Sequence, residues 1–141
     1  MDGLTTLALW VHFLSIGMAG MATFGIPVTL LASKGATPEQ RPAIGAILMK
    51  LAGFGRMAIA LLILSGLVIV WARYSGGGLN GWFNIKMVFV VAIVALALYN
   101  KHNGVRARAG DGAAVARMPM LGKIGIGLFA LTVLLAVLAF G

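Results

Sequence analysis

The sequence contains no cysteine and only three acidic residues among its 141 residues. Without cysteine, a disulfide framework, an iron–sulfur cluster, a thiolate zinc site and a thiol nucleophile are all excluded. The three carboxylates, Asp2, Glu39 and Asp111, lie outside the long apolar stretches of the chain. A carboxylate pair for hydrolysis, an oxygen cage for a hard cation and an intramembrane carboxylate relay therefore lack the residues that they need.

Charged residues of either sign are scarce, whereas apolar residues are abundant. The chain is 10% charged and 61% hydrophobic, against about 25% and about 45–50% in soluble domains. This composition argues against a single soluble globular core and favours an integral membrane protein. The length fits one unit, so we interpret residues 1–141 as a single transmembrane domain.

Four uncharged runs predict four membrane-spanning helices. A helix needs about 17–25 mostly apolar residues to cross the hydrocarbon core, and basic side chains at its ends can reach the membrane surface. The runs place the spans at approximately residues 4–30, 52–73, 82–102 and 120–140. We therefore predict an all-α fold, an integral membrane four-helix bundle.

The distribution of the basic residues predicts the orientation of the bundle. Nine of the eleven lie around the first and third connections: Lys34, Arg41, Lys50, Arg56, Lys101, Arg106, Arg108, Arg117 and Lys123. Short loops rich in Lys and Arg stay in the cytoplasm, so both termini are expected on the extracytoplasmic side. We interpret the basic clusters as topology signals and expect no nucleic-acid partner.

Local signals in the connections give three further expectations. The segment Thr37-Pro38-Glu39-Gln40 is typical of a helix start with Thr37 as the N-cap. Pro27 is expected to kink or end the first span. The segment from Asn103 to Arg117 is expected to be a cytoplasmic loop or a short surface helix.

Among the ionisable side chains of the predicted spans, His12 and Lys86 are the strongest candidates for chemistry. His12 lies in the uncharged first span, where an ionisable group is costly unless it faces the bundle interior and has a partner. A neutral imidazole is a common axial ligand of heme iron; the alternative is a histidine hydrogen-bonded to a neighbouring helix. Lys86 lies about one turn inside the third span, where it could pair with an anionic group of a bound ligand or extend past Trp82 to the surface.

The remaining candidate ligands are His102 and several methionines. His102 follows Lys86 by about 24 Å of helix, so a single heme bridged by His12 and His102 is not expected. Met18 and Met21 share the first span with His12, and thioether and imidazole ligands suit Cu(I). Methionine is also an ordinary packing residue, so copper binding is kept as an alternative.

Several short segments together resemble one superfamily of small membrane proteins. They are Leu9-Trp10-Val11-His12-Phe13-Leu14, Arg56, Leu64-Ser65-Gly66-Leu67, Gly81-Trp82-Phe83-Asn84-Ile85-Lys86-Met87 and Tyr99-Asn100-Lys101. Over nearly the whole chain, this pattern resembles the HemJ-type protoporphyrinogen oxidases and the CopD copper-resistance domain. Asn84 and Asn100 depart from the HemJ-type pattern, which usually has histidine at both positions, and an asparagine followed by a basic residue is more similar to CopD.

The resemblance implies a functional pair and a cofactor. In HemJ-type enzymes an early histidine and a third-span lysine are associated with b-type heme, and they match His12 and Lys86. We therefore predict these two as catalytic and cofactor-binding residues, with His12 as the iron ligand. Trp10, Trp82 and Tyr99 are expected to line or border the cofactor pocket.

The expected function is that of a b-type heme redox protein in a bacterial inner (cytoplasmic) membrane. The HemJ-type reaction removes six electrons from protoporphyrinogen IX, and the electrons would pass to a quinone or another membrane partner. We expect the lipid bilayer as surroundings and either a homo-oligomer or a larger membrane complex. The alternatives are a cofactor-free accessory or assembly subunit of such a complex, and a Cu(I)-handling membrane protein.

Overall fold

The computed structural model describes residues 2–74 and 81–140, without the side chains of residues 74, 82, 139 and 140. Within these ranges the chain forms four helices, α1 (Gly3–Ala32), α2 (Arg41–Tyr74), α3 (Gly81–Arg108) and α4 (Gly112–Phe140). Each helix is long and apolar enough to cross a membrane. The all-α class and the four helices of spanning length are confirmed, whereas the bundle arrangement and the side of the termini stay predictions.

The four helices pack as two pairs. α1 packs against α2 to form a first hairpin, and α3 packs against α4 to form a second. The two hairpins are separate compact units, and each is described here by itself.

Small side chains form the seam between α1 and α2. The buried residues of α1 recur at spacings of three and four or their sum: Thr5, Ala8, Ser15, Ala19 and Ala22. Ala58 and Ser65 are buried on α2, and such spacing keeps one face of each helix toward its partner. Ala22 meets Gly55, where an added Cβ would lie 3.1 Å from the Ala22 Cβ. His12 contacts Ser65, ten residues before Ala22 on α1 and ten residues after Gly55 on α2. The two helices are therefore antiparallel.

α1 begins at a capping residue and continues past its proline. The Asp2 side chain accepts a 2.7 Å hydrogen bond from the Thr5 backbone N–H, which satisfies one of the free donors of the first turn. The helix runs through Pro27 to Ala32, so the expectation that Pro27 ends it is wrong. α1 still packs against α2 close to Pro27, because an added Cβ at Gly25 would lie 3.4 Å from the Leu51 side chain.

α2 begins three residues later than the predicted start. The Gln40 side-chain oxygen accepts from the Thr37 N–H at 3.1 Å, which is one of the two bonds of a capping box. The Gln40 N–H, however, donates to the Thr37 backbone carbonyl at 3.0 Å. Residues 38–40 therefore form a turn, and the Gln40 carbonyl accepts the first helical bond from Ile44 at 3.2 Å. The assignment of Thr37 as the helix N-cap is wrong.

The segment from Asn103 to Arg117 belongs to two long helices except for a connection at residues 109–111, so its assignment as a loop or short surface helix is wrong. α3 continues to Arg108, and α4 begins at Gly112. Gly110 has a φ of +95°, which glycine adopts readily. The Gly110 N–H donates to Ala107 and the Asp111 N–H donates to Arg106, both at 3.1 Å. These two bonds form a Schellman motif that ends α3.

Two polar side chains hold this helical tip together. The Asn103 Nδ2 donates to the Ala114 backbone carbonyl at 2.9 Å, and Asn103 is only 2% exposed. Asp111 Oδ1 accepts from the backbone N–H groups of Ala113 and Ala114 at 3.1 and 3.3 Å. Its Oδ2 lies 2.6 Å from the Arg106 guanidinium. Asp111 thus caps α4 and also contacts the last turns of α3.

The Asp111 contacts predict an acid-sensitive contribution to stability. The hydrogen bond from the Ala114 N–H and the positive charge of Arg106 hold the pKa of Asp111 below its ordinary value. A lowered folded-state pKa stabilises the fold fully above the ordinary carboxyl pKa, and this stabilisation is lost as the pH falls through the lowered value. We expect the thermal midpoint of the wild type, followed by circular dichroism in detergent, to fall more steeply over that range than that of Asp111→Asn. Parallel curves for the two proteins would contradict the assigned role of Asp111.

Candidate cofactor site

His12 lies in the seam of the first hairpin, between Ala8 and Ser15 in the spacing of buried residues. Its side chain is half-buried, and its Nδ1 lies 2.8 Å from the Ser65 Oγ. The next residue on α2 is Gly66, where an added Cβ would lie 3.6 Å from the His12 Cε1. The imidazole is therefore seated directly against the backbone of α2.

Ser65 joins the imidazole to the main chain of α2. Its Oγ lies 2.6 Å from the Leu61 carbonyl oxygen and 3.3 Å from that of Leu62. The side chain is only 5% exposed. A serine inside a helix commonly donates to the carbonyl four residues earlier, which gives this hydroxyl a fixed direction. His12, Ser65 and Leu61 thus form a continuous chain of polar contacts across the seam.

The contacts between His12, Ser65 and Leu61 determine the chemistry that the imidazole can perform. A neutral imidazole carries one N–H and one nitrogen lone pair, and only the lone pair can ligate a metal. Metal-ligating histidines usually donate their other ring N–H to an oxygen acceptor, which fixes the ring and raises its basicity. Contact of Nδ1 with a hydroxyl oxygen is therefore an arrangement in which Nε2 can serve as the ligand.

Lys86 lies near the beginning of α3 and is half-buried. His12 belongs to the first hairpin and Lys86 to the second. Their predicted partnership at one cofactor stays a prediction.

The predicted aromatic lining residues have different surroundings. Trp10 is 63% exposed on α1, and the side chain of Trp82 lies outside the described part of the structure. The Tyr99 hydroxyl accepts a 3.3 Å hydrogen bond from the Arg117 guanidinium. Tyr99 follows Lys86 by about 20 Å of helix, so the two residues can only border opposite ends of a pocket. The role of all three aromatic residues stays a prediction.

Other candidate ligands do not cluster around His12 in the described residues. Across residues 2–74 and 81–140, no three His, Cys, Asp or Glu side chains come together at a metal-ion position. His102 is exposed on α3, Met18 is half-buried and Met21 is exposed on α1. A site at His12 therefore rests on one imidazole and on ligands of other kinds, and the Cu(I) alternative stays a prediction.

Two functional or structural residues were not identified from the sequence. Ser65 belongs to the segment Leu64-Ser65-Gly66-Leu67 of the resemblance, and Asn103 begins the predicted loop, but neither was predicted to have a role. Ser65 could have been identified from the sequence, because a hydroxyl within an uncharged span needs a hydrogen-bond partner. Asn103 could not have been identified in this way, since its neighbours Lys101 and His102 indicate an exposed surface.

Comparison with known proteins finds no family model, no curated protein and no solved structure that matches this chain. The resemblance to the HemJ-type and CopD superfamily therefore stays a prediction based on short segments.

Proposed function

We propose that the chain is a multi-pass membrane protein that binds a b-type heme through His12 and takes part in redox chemistry. The observation that carries the proposal is the seating of His12: a half-buried imidazole in an uncharged spanning helix, with Nδ1 2.8 Å from a hydroxyl oxygen. An imidazole at such depth requires a partner. Here the Ser65 hydroxyl is a partner of Nδ1.

The residues present fit a heme whose iron would be held by one histidine of this chain. The donor is a nitrogen, the described neighbours of His12 on α2 are the small residues Ser65 and Gly66, and the second histidine of the chain, His102, belongs to the other hairpin. When bound, the heme would supply one-electron transfer. His12 would hold the iron, and Lys86 would bind a propionate or a substrate carboxylate through its ammonium group.

The helices and the charge distribution support the proposed membrane and orientation. Four helices long and apolar enough to span a membrane and nine basic residues around two connections favour termini on the extracytoplasmic side of a bacterial cytoplasmic membrane. A tetrapyrrole such as protoporphyrinogen IX is the substrate class implied by the resemblance, with a quinone or membrane protein as electron partner.

A second candidate function, a cofactor-free accessory subunit, is favoured by a specific observation. The His12–Ser65 hydrogen bond joins α1 to α2, as that of a packing histidine would. Large apolar side chains such as Trp10, Phe13 and Trp71 are also well exposed on this hairpin and would suit contacts with lipid or a larger partner. Under this reading His12 stabilises the hairpin and binds no iron.

Substitution of His12 separates the two functions. We expect detergent-purified wild-type protein from heme-replete cells to show a Soret band and roughly stoichiometric heme b in a pyridine hemochrome assay. His12→Ala should lose this heme, because no other imidazole lies in the first hairpin, while keeping its helix content by circular dichroism.

His102→Ala is the matched control, since it removes the other histidine of the chain from an exposed position. Its heme content should equal that of the wild type. A colourless wild-type protein, or a His12→Ala variant with full heme, would defeat the heme proposal. Copurification of a stoichiometric partner with colourless protein would support the accessory-subunit function.

A further inference from the structure

We infer that Ser65 is a positioning residue that holds His12 in the tautomer protonated on Nδ1, so that Nε2 carries the lone pair. The inference deepens the proposed function, and it rests on that function where it concerns heme. The tautomer is argued from the contacts of the Ser65 hydroxyl, which need no heme.

The distances around the Ser65 hydroxyl decide the direction of the hydrogen bonds. A hydroxyl has one proton and can accept at its lone pairs. Its oxygen lies 2.6 Å from the Leu61 carbonyl oxygen, and two acceptor oxygens at this separation would repel each other unless a proton lay between them. The Ser65 proton therefore points to Leu61.

The imidazole must then supply the proton of the second contact. The Ser65 Oγ lies 2.8 Å from the His12 Nδ1, and its own proton is engaged with Leu61. The oxygen can only accept in this direction, so Nδ1 carries the hydrogen. In water, histidine prefers the tautomer protonated on Nε2, and Ser65 reverses that preference.

Burial of Ser65 strengthens the preference of His12 for the tautomer protonated on Nδ1. Ser65 is 5% exposed, so water has little access to the hydroxyl to replace the imidazole N–H. A buried polar atom without its hydrogen bond is destabilised by more than the bond itself contributes. The tautomer with hydrogen on Nε2 would place the Nδ1 lone pair against a Ser65 lone pair, and is disfavoured for that reason.

The chemical nature of the partner also matters. Ser65 is a neutral hydroxyl, and the three carboxylates of the chain lie outside the predicted spans. A carboxylate partner would draw the imidazole toward the more electron-donating imidazolate, whereas a hydroxyl leaves it neutral. Ser65 would thus set the basicity of the proposed iron ligand without adding charge to the membrane interior.

The tautomer can be measured without any heme. We would record ¹⁵N spectra of metal-free, histidine-labelled protein at alkaline pH, in a His102→Gln background so that His12 gives the only imidazole signals. We expect a protonated Nδ1 and an unprotonated Nε2. Ser65→Ala should shift both signals toward the opposite tautomer, and Ser65→Thr, which keeps the hydroxyl, should restore the wild-type pattern.

Two results would overturn the inference. One is a wild-type His12 that carries its hydrogen on Nε2; the other is a Ser65→Ala variant with unchanged ¹⁵N shifts and full helix content. Both outcomes are independent of whether the protein binds heme. The tautomer inference and the proposed function can therefore fail separately.

A second measurement tests the effect on the ligand. Loss of a hydrogen bond to a metal-ligating histidine typically weakens metal binding about 10–100-fold. We expect Ser65→Ala to weaken heme binding within that range and to raise the heme reduction potential, because a less basic imidazole stabilises ferric iron less. Ser65→Asp should lower the potential, and Ser65→Thr should leave both quantities near the wild type. A potential that does not respond to Ser65→Ala or Ser65→Asp would exclude the tuning role.

Discussion

Replacing Asn103 with aspartate is expected to open the tip of the second hairpin. The Asn103 amide nitrogen donates to the Ala114 carbonyl at 2.9 Å in a site where Asn103 is 2% exposed. Asn103→Asp puts a charged oxygen in place of this donor and faces it toward the carbonyl. An uncompensated buried charge lowers the free energy of unfolding by about 3–5 kcal/mol. We expect a loss of that size in detergent unfolding, with faster tryptic cleavage after Arg106 and Arg108.

Asn103→Leu is the matched control for this prediction. The Asn103 Oδ1 is buried and has no hydrogen-bond partner among the described residues. Leucine, which has nearly the same shape, removes this unpaired acceptor together with the donor, and such a replacement can be nearly neutral. A leucine variant as unstable as the aspartate variant would show that shape at this position, and not charge, holds the tip.

Replacing Ala58 with leucine is expected to separate the helices of the first hairpin. Ala58 is fully buried on α2, one turn from the close approach of Gly55 to Ala22. Extra carbon atoms in a tight interface typically destabilise by about 1–3 kcal/mol. Because the chain has no cysteine, the separation can be followed by disulfide formation between Ala22→Cys and Gly55→Cys. The yield should fall sharply when Ala58→Leu is added.

Ala60→Leu makes the same chemical change two residues away, on an exposed face of α2. It should leave the disulfide yield unchanged, because the added atoms do not enter the seam. Equal yields in the Ala58→Leu and Ala60→Leu backgrounds would mean that Ala58 does not lie between the helices.

The number and type of the helices could be predicted because a bilayer imposes a compositional requirement. Uncharged runs bracketed by basic residues, such as the run from Met57 to Ala72 between Arg56 and Arg73, are visible without knowledge of any contact. The helix ends were less accessible, since hydropathy shows where a span stops and not where a helix stops. α3 continues six residues past the predicted boundary at residue 102 because Gly110 and Asp111 provide a stop signal and a start signal further along.

The candidate site was predictable in part for a similar reason. The high free energy of an ionisable group in an apolar span identified His12 as a residue that needs a partner. The identity of that partner depends on the rotation and register of α2, which hydropathy does not determine. Small residues at Ala22 and Gly55 set the register by allowing close approach, and this places Ser65 opposite His12.

The length of α1 has a consequence for the membrane around it. Its 30 residues extend about 45 Å without a charged side chain, against a hydrocarbon thickness of about 30 Å. In α3 the uncharged run from Met87 to Asn100 extends only about 21 Å. A long apolar helix tilts or thickens the surrounding lipid, and a short one thins it. α1 thus has a longer uncharged length than α3, and also than its partner α2, whose uncharged run from Met57 to Ala72 extends about 24 Å. Lipid chain length is therefore expected to affect the packing of α1 on α2, where His12 contacts Ser65.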